Sequence, residues 1–83
     1  MDNIEFVKKN LGKECHINEF TDKGMIVGYR NDEYVIIGFY TYDIDRWGTD
    51  PYTDDYDGDK LVIHSPIIKS YWYTTQDDIS IIE

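Results

Sequence analysis

The sequence predicts a mainly β fold, in which five short strands form a small barrel and a short helix precedes them. Residues 24–39 (GMIVGYRNDEYVIIGF) form two apolar, β-branched arms around an Asn-Asp pair, which is typical of a hairpin. Gly28 and Gly38 interrupt these arms, and a glycine inside a strand commonly marks a bulge or a bend. The chain has 83 residues and a single cysteine, so we expect one small core without a disulfide framework, a single domain over 1–83.

Residues 2–11 predict the N-terminal helix. Ile4, Val7 and Leu11 recur on one helical face, and either residue of the opening Asp-Asn pair can cap the start. Gly12 suits the position just after the last turn. A helix this short is not stable alone in water, so we expect its apolar stripe to dock on the sheet.

Residues 13–42 are expected to hold the first strand and the central hairpin. In the first strand, at 13–20, Cys15 and Ile17 alternate with polar neighbours, so both should point inward. Cys15 is then a small buried side chain. His16 would lie on the opposite face of the strand, so the two cannot act together as a catalytic pair.

A two-residue turn at Asn31 and Asp32 predicts the register of the hairpin. Both residue types tolerate the positive φ that such turns need. This turn would place Tyr29 opposite Tyr34, and it would pair the arginine before the turn with the glutamate after it. An aromatic pair and an opposite-charge pair each stabilise a hairpin by roughly 0.2–1 kcal/mol.

Residues 60–82 predict the C-terminal strands. We expect strands at 60–64 and 69–74, one helical turn at 75–78 and a final strand at 79–82. In the aromatic run of 69–74, Trp72 should lie on one face and Tyr71 and Tyr73 on the other. We expect Trp72 to fill the core, because large aromatic side chains on strands are generally buried.

The segment 43–59, DIDRWGTDPYTDDYDGD, is the longest break in periodicity and is rich in acidic and aromatic side chains. Loops of this length are commonly functional, and tyrosine and tryptophan are enriched at binding hot spots. A solubilising loop between two strands explains the same composition. The residues expected to contact a partner are Asp43, Asp45, Trp47, Asp50, Tyr52, Asp54, Asp55, Tyr56, Asp57 and Asp59.

Weak calcium binding is a further interpretation of this segment. Asp55, Asp57 and Asp59, with a glycine between the last two, imitate the middle of an EF-hand loop. Two primary ligand positions then hold Thr53 and His64 instead of acidic residues. The sequence therefore predicts no metal site of high affinity, and it predicts no cofactor.

The charge of the chain indicates which class of partner it can bind. Seventeen acidic and eight basic residues give a net charge of −9, which disfavours direct contact with nucleic acid and favours a basic protein surface. We expect no enzymatic activity, since the two histidines are isolated and no phosphate-binding glycine motif is present. Without a long apolar run, we expect no membrane span and a cytoplasmic location.

The order of elements resembles that of SH3-like small β-barrel proteins of bacterial and phage type. The resemblance covers about residues 13–82: five short strands, a wide loop, and an ending of aromatic strand, acidic turn and hydrophobic strand. It implies the barrel fold. Peptide-binding SH3 domains open with an ALYDY-type motif and carry a Trp-Trp pair, and this chain has neither.

These observations predict a small acidic protein-binding module. The leading hypothesis is an accessory or inhibitor protein, of the kind carried by phages and mobile elements, whose carboxylates imitate the phosphates of DNA and engage a basic surface. The alternative is a structural or oligomerising module, a homodimer being one form of it, that uses exposed strand edges and the apolar second face of the hairpin, with the acidic segment serving solubility.

Overall fold

The computed structural model describes residues 2–18, 20, 22–41 and 59–82. These residues form one α-helix, six β-strands and one 3-10 helix. In chain order they are α1 (Asn3–Asn10), β1 (Glu14–Ile17), β2 (Gly24–Arg30), β3 (Tyr34–Phe39), β4 (Asp59–Leu61), β5 (Ser70–Thr74), the 3-10 helix (Gln76–Asp78) and β6 (Ile79–Ile81). The predicted mainly β class with a short N-terminal helix is confirmed.

All strand pairs are antiparallel, and the sheet runs in the order β5-β3-β2-β1-β6. β4, which falls on the strand predicted at 60–64, joins this sheet on β2, so the sheet has six strands where a five-stranded barrel was expected. One edge of β2 is shared, because Met25 near its start pairs with β1 whereas Gly28 near its end pairs with Leu61 of β4. Within the described ranges β5 and β6 are not paired with each other, so the sheet seen here is not a closed barrel.

The predicted hairpin register is wrong next to the turn. Arg30 pairs with Tyr34, because the connection has three residues instead of two. Asn31 adopts a φ of 47°, and the Glu33 N–H donates to the Arg30 carbonyl at 3.0 Å. Tyr29 consequently lies opposite Val35, and both predicted side-chain pairs are lost.

A bulge at Val27 restores the predicted register farther along the hairpin. Gly28 pairs with Ile36 and Ile26 pairs with Ile37, so Val27 has no partner of its own on β3. Its carbonyl instead accepts hydrogen bonds from the N–H groups of residues 62 and 63, at 2.8 and 3.1 Å. The bulge predicted near Gly28 is therefore confirmed. At Gly38 the ladder is regular, and its lack of a side chain makes room for Ile68.

Helix α1 begins and ends as its sequence predicts. The Asp2 side chain accepts from the Glu5 N–H at 2.7 Å, which satisfies one of the free donors of the first turn. After Asn10 the chain makes a tight turn in which Gly12 has a φ of +81°, and the Lys13 N–H donates to the Asn10 carbonyl at 3.0 Å. This geometry is that of a type II turn, in which glycine is the favoured third residue.

Two apolar clusters cover the two faces of the hairpin. The helix-side cluster lies under α1, β1 and β6, and its buried members are Val7, Cys15, Ile17, Ile26, Val35, Ile37 and Phe39. The β4-side cluster lies on the other face, and its buried members are Val27, Ile36, Leu61, Ile68 and Tyr71. Residues 59–71 of the same chain thus cover the face that α1 leaves open. Neither helix that the structure describes has the length and hydropathy of a membrane-spanning segment.

The inward and outward faces of β1 and β5 agree with the sequence. Cys15 and Ile17 are buried, whereas His16 is exposed. Trp72 packs against the helix-side cluster, and its two tyrosine neighbours belong to the β4-side cluster. The strand predicted at 60–64 is shorter than expected, since β4 ends at Leu61.

Candidate functional site: an aromatic and acidic groove

Most of the predicted partner-binding residues lie outside the described part of the chain. These are Asp43, Asp45, Trp47, Asp50, Tyr52, Asp54, Asp55, Tyr56 and Asp57. Asp59 is described, and it is the first residue of β4.

Asp59 is buried, which corrects the expectation that its carboxylate is available to a partner. Only 1% of the residue is exposed. One carboxylate oxygen accepts the hydrogen bond of the Tyr73 hydroxyl, and the other lies 3.4 Å from Nε of Arg30. The cause is the pairing of β4 with β2, which sets Asp59 opposite Arg30. Asp59 therefore holds β4 to the sheet.

A groove of about 240 Å³ opens where four elements meet. It is bounded by the end of β1, the start of β3, the end of β5 and the 3-10 helix. The lining residues are Ile17, Asn18, Tyr34, Trp72, Tyr73, Thr74, Thr75 and Asp78. No lysine, arginine or histidine is among them in the described part of the chain, so the lining combines aromatic rings, amide and hydroxyl groups and one carboxylate.

The aromatic side of the groove is formed by Tyr34, Trp72 and Tyr73. Tyr34 is 38% exposed, and its ring centroid lies 6.3 Å from that of Tyr73, with 52° between the ring planes. Phe20 supports Trp72 in an edge-to-face contact with centroids 4.9 Å apart. Such contacts hold aromatic rings in fixed orientations. Trp72 thus packs on the core, as predicted, and also lines the groove.

Asp78 gives the groove its charge. One of its carboxylate oxygens accepts from the Thr74 hydroxyl at 3.2 Å, and the other is 3.5 Å from the Asn18 amide nitrogen. Both neighbours are neutral, so these contacts orient the carboxylate without neutralising it. Asp77 precedes Asp78 in the same 3-10 helix and is also exposed, but it does not line the groove.

Asn3 of α1 fixes two of the segments beside the groove. Its side-chain amide nitrogen donates to the carbonyls of Asp32 and Glu33 at 3.1 and 3.0 Å. Its amide oxygen lies 3.4 Å from the Gln76 backbone nitrogen, at the start of the 3-10 helix. Thr75 occupies the N-cap position of this turn, but its side chain makes no capping hydrogen bond. The cap comes from a residue that lies 73 positions away in the chain.

No protein family, curated protein or solved structure matches this chain. The groove and the negative charge of the sequence are both suited to binding a cationic group: a carboxylate attracts it, and aromatic faces accept it through their quadrupoles.

Cys15 lacks the environment of a nucleophile. It is fully buried in the helix-side cluster. Burial raises the pKa of its thiol from 9.0 to about 11, and the neighbouring charge of Glu14 adds to this effect. A thiol with a raised pKa carries little of the thiolate form that reacts. The prediction that Cys15 is a small core residue is confirmed.

The described residues contain no cluster of three or more metal-ligating side chains. The calcium interpretation depends on Asp55 and Asp57, which lie outside the described ranges, and on Asp59. Since the Asp59 carboxylate already contacts Arg30 and Tyr73, it is poorly placed to serve as a calcium ligand.

Sequence reasoning missed Tyr34, Asn18 and Asp78 as members of one site. Their positions in the chain gave no sign that they meet, because the groove depends on strands that are distant in sequence. The one available signal was the exposed acidic pair that follows an aromatic strand.

Proposed function

We propose that this chain is a non-enzymatic protein-binding module with an SH3-like barrel fold, and that it engages a basic surface of a partner protein. The observation that carries the proposal is the groove, whose lining combines three aromatic residues with one carboxylate and no cation among the described residues. A net charge of −9 adds attraction for basic partners beyond the groove itself.

The strand order supports the SH3-like part of the proposal. The last strand, β6, follows a single 3-10 turn and pairs with the first strand, β1. The long connection falls between β3 and β4, and the central hairpin lies in the middle of the sheet. This arrangement agrees with the series of elements on which the resemblance to SH3-like barrels was based.

The distribution of charge supports a basic partner. The described residues contain nine acidic and seven basic side chains, a net charge of −2, so the rest of the chain supplies −7 of the total −9. Segment 43–59 holds seven aspartates and one arginine. A concentration of one sign of charge raises the rate of encounter with an oppositely charged surface, and salt weakens this effect.

An oligomerising module is the second candidate, but the described contacts give it less support. It requires an apolar second face of the hairpin that is open to another chain. Leu61, Ile68 and Tyr71 cover that face from within the same chain. Val62 and Ile67, in the connection between β4 and β5, are exposed apolar side chains, at 46% and 57%.

Binding of a partner from the natural host tests the proposal. Tagged protein captures partners from host lysate, the captured protein is identified and purified, and its affinity is measured at several salt concentrations. The test variant, D54N/D55N/D57N, removes three charges from the acidic segment and leaves the buried Asp59 intact. The matched control, E5Q/E14Q/D22N, removes three exposed charges elsewhere.

We expect the test variant to weaken binding by roughly tenfold at low salt and to flatten its salt dependence, because long-range attraction falls with the charge. The control should change affinity much less. Equal affinities for wild type and test variant would refute the role of the acidic segment. A salt-insensitive dimer in sedimentation, with no captured basic protein, would favour the oligomerising module instead.

A further inference from the structure

We infer that the groove receives the guanidinium group of an arginine side chain from the partner. This inference rests on the proposed function, because it names the chemical group that the binding module recognises. It concerns the described groove and does not depend on segment 43–58.

The size of the groove favours a single side chain. Pockets for small-molecule ligands usually measure about 300–1,000 Å³. At about 240 Å³ the groove lies below that range, and it is open at the surface. A long side chain that enters from outside fits such a space, whereas a helix does not.

The chemistry of the lining favours a cation. Asp78 is exposed at the groove and carries no compensating positive neighbour in its described hydrogen bonds, which come from Thr74 and Asn18. An anion would be repelled by this carboxylate. An apolar side chain would cover Asp78 and the neighbouring threonines without giving them hydrogen bonds, which is costly.

Among cations, the lining favours arginine over lysine. Guanidinium is planar, so it can stack on an aromatic ring while its edge donates two hydrogen bonds to a carboxylate. The ammonium group of lysine is strongly hydrated and cannot do both. The protein itself places a guanidinium near one of these rings, since Cζ of Arg30 lies 6.0 Å from the centroid of the Tyr73 ring.

The experiment titrates the protein with two capped tripeptides, acetyl-Gly-Arg-Gly-amide and acetyl-Gly-Lys-Gly-amide. Backbone and indole N–H shifts are followed by NMR, and the Trp72 indole reports on the groove. The test variant is Asp78→Asn, which keeps an oxygen to accept from Thr74. Its control is Asp77→Asn, which makes the same charge change one residue away, outside the groove lining. A second test variant, Tyr34→Leu, removes an aromatic ring and keeps bulk.

We expect saturable shifts that map to the groove, with the arginine peptide binding more tightly than the lysine peptide. Asp78→Asn should weaken arginine binding by roughly two- to fivefold, as expected for a partly exposed ion pair, and Asp77→Asn should weaken it less. Tyr34→Leu should also weaken binding, by a similar factor. The unchanged spectra of both aspartate variants outside the groove would show that they fold.

The inference is overturned if the arginine peptide produces no saturable shifts, if the shifts lie elsewhere, or if the two aspartate variants lose equal affinity. Failure of the inference can be told apart from failure of the proposed function. If D54N/D55N/D57N lost partner capture and Asp78→Asn kept it, the arginine groove would be refuted and the proposed binding module would be retained. Loss by Asp78→Asn alone would support the groove and refute the role of the acidic segment.

Discussion

Replacing Gly28 by alanine should detach β4 from the sheet. A Cβ atom at this position would lie 2.0 Å from the carbonyl oxygen of Lys60 and 3.0 Å from Cα of Leu61. Both obstacles belong to the backbone, so no side-chain rotation relieves them. The two strands would have to separate by at least 1.0 Å to lengthen the closest contact to 3.0 Å.

The magnitude follows from what β4 buries. Leu61 is 1% exposed, and exposing a leucine side chain costs about 1.5–3 kcal/mol. Asp59 would also lose its contacts with Arg30 and Tyr73, and a hydrogen bond to a charged group contributes about 1.5–3 kcal/mol. Since relaxation recovers part of each loss, we expect Gly28→Ala to lower the free energy of unfolding by about 2–4 kcal/mol.

Urea unfolding, followed by tryptophan fluorescence, measures this loss. Gly38→Ala is the matched control, because the atoms that its Cβ would meet first, at 2.7 and 2.9 Å, belong to the Ile68 side chain, which can rotate. We expect Gly38→Ala to cost about 1 kcal/mol. If Gly28→Ala destabilised the protein no more than Gly38→Ala, the close packing of β4 on β2 described here would be refuted.

Two further predictions concern buried groups. Asp59→Asn and Tyr73→Phe should each lower the free energy of unfolding by about 1–3 kcal/mol. The double variant should lose less stability than the sum of the two single losses, because both changes act on one carboxylate. Additive losses in urea unfolding would contradict this coupling. The pKa of Cys15 is raised from 9.0 to about 11 by burial and, to a smaller degree, by Glu14, so the folded protein holds the thiol proton more tightly than the unfolded chain. The stability of the wild-type protein should therefore fall as the pH rises from 9.0 to about 11, and the Cys15→Ala variant should lose less stability over that range. Equal losses of stability in pH-dependent thermal unfolding would show that the thiol does not contribute.

Features set by local alternation could be predicted from the sequence. In β1 the inward positions of Cys15 and Ile17 follow from a period of two, and the same rule separates Trp72 from its tyrosine neighbours on β5. The start of α1 was also predictable, because an aspartate N-cap acts within its own turn. None of these features requires knowledge of which strands pair.

Features set by long-range pairing could not be predicted. Asp59 looked like one more loop aspartate, and only the pairing of β4 with β2 buries it against Arg30. The hairpin register depended on whether the turn has two residues or three, and Asn31 tolerates either geometry. The groove was missed for the same reason, since Tyr34 and Asp78 meet only when β3 and the 3-10 helix are assembled.

Tyr73 connects the acidic segment to the groove. Its hydroxyl donates to Asp59, the residue at which the described chain resumes after 42–58, and it also lines the groove. The preceding end is held as well, since the Thr41 carbonyl accepts from the Ser70 hydroxyl at 2.7 Å. Two residues of β5, Ser70 and Tyr73, thus hold the chain on either side of residues 42–58, and Tyr73 also lines the groove proposed to receive the partner's arginine.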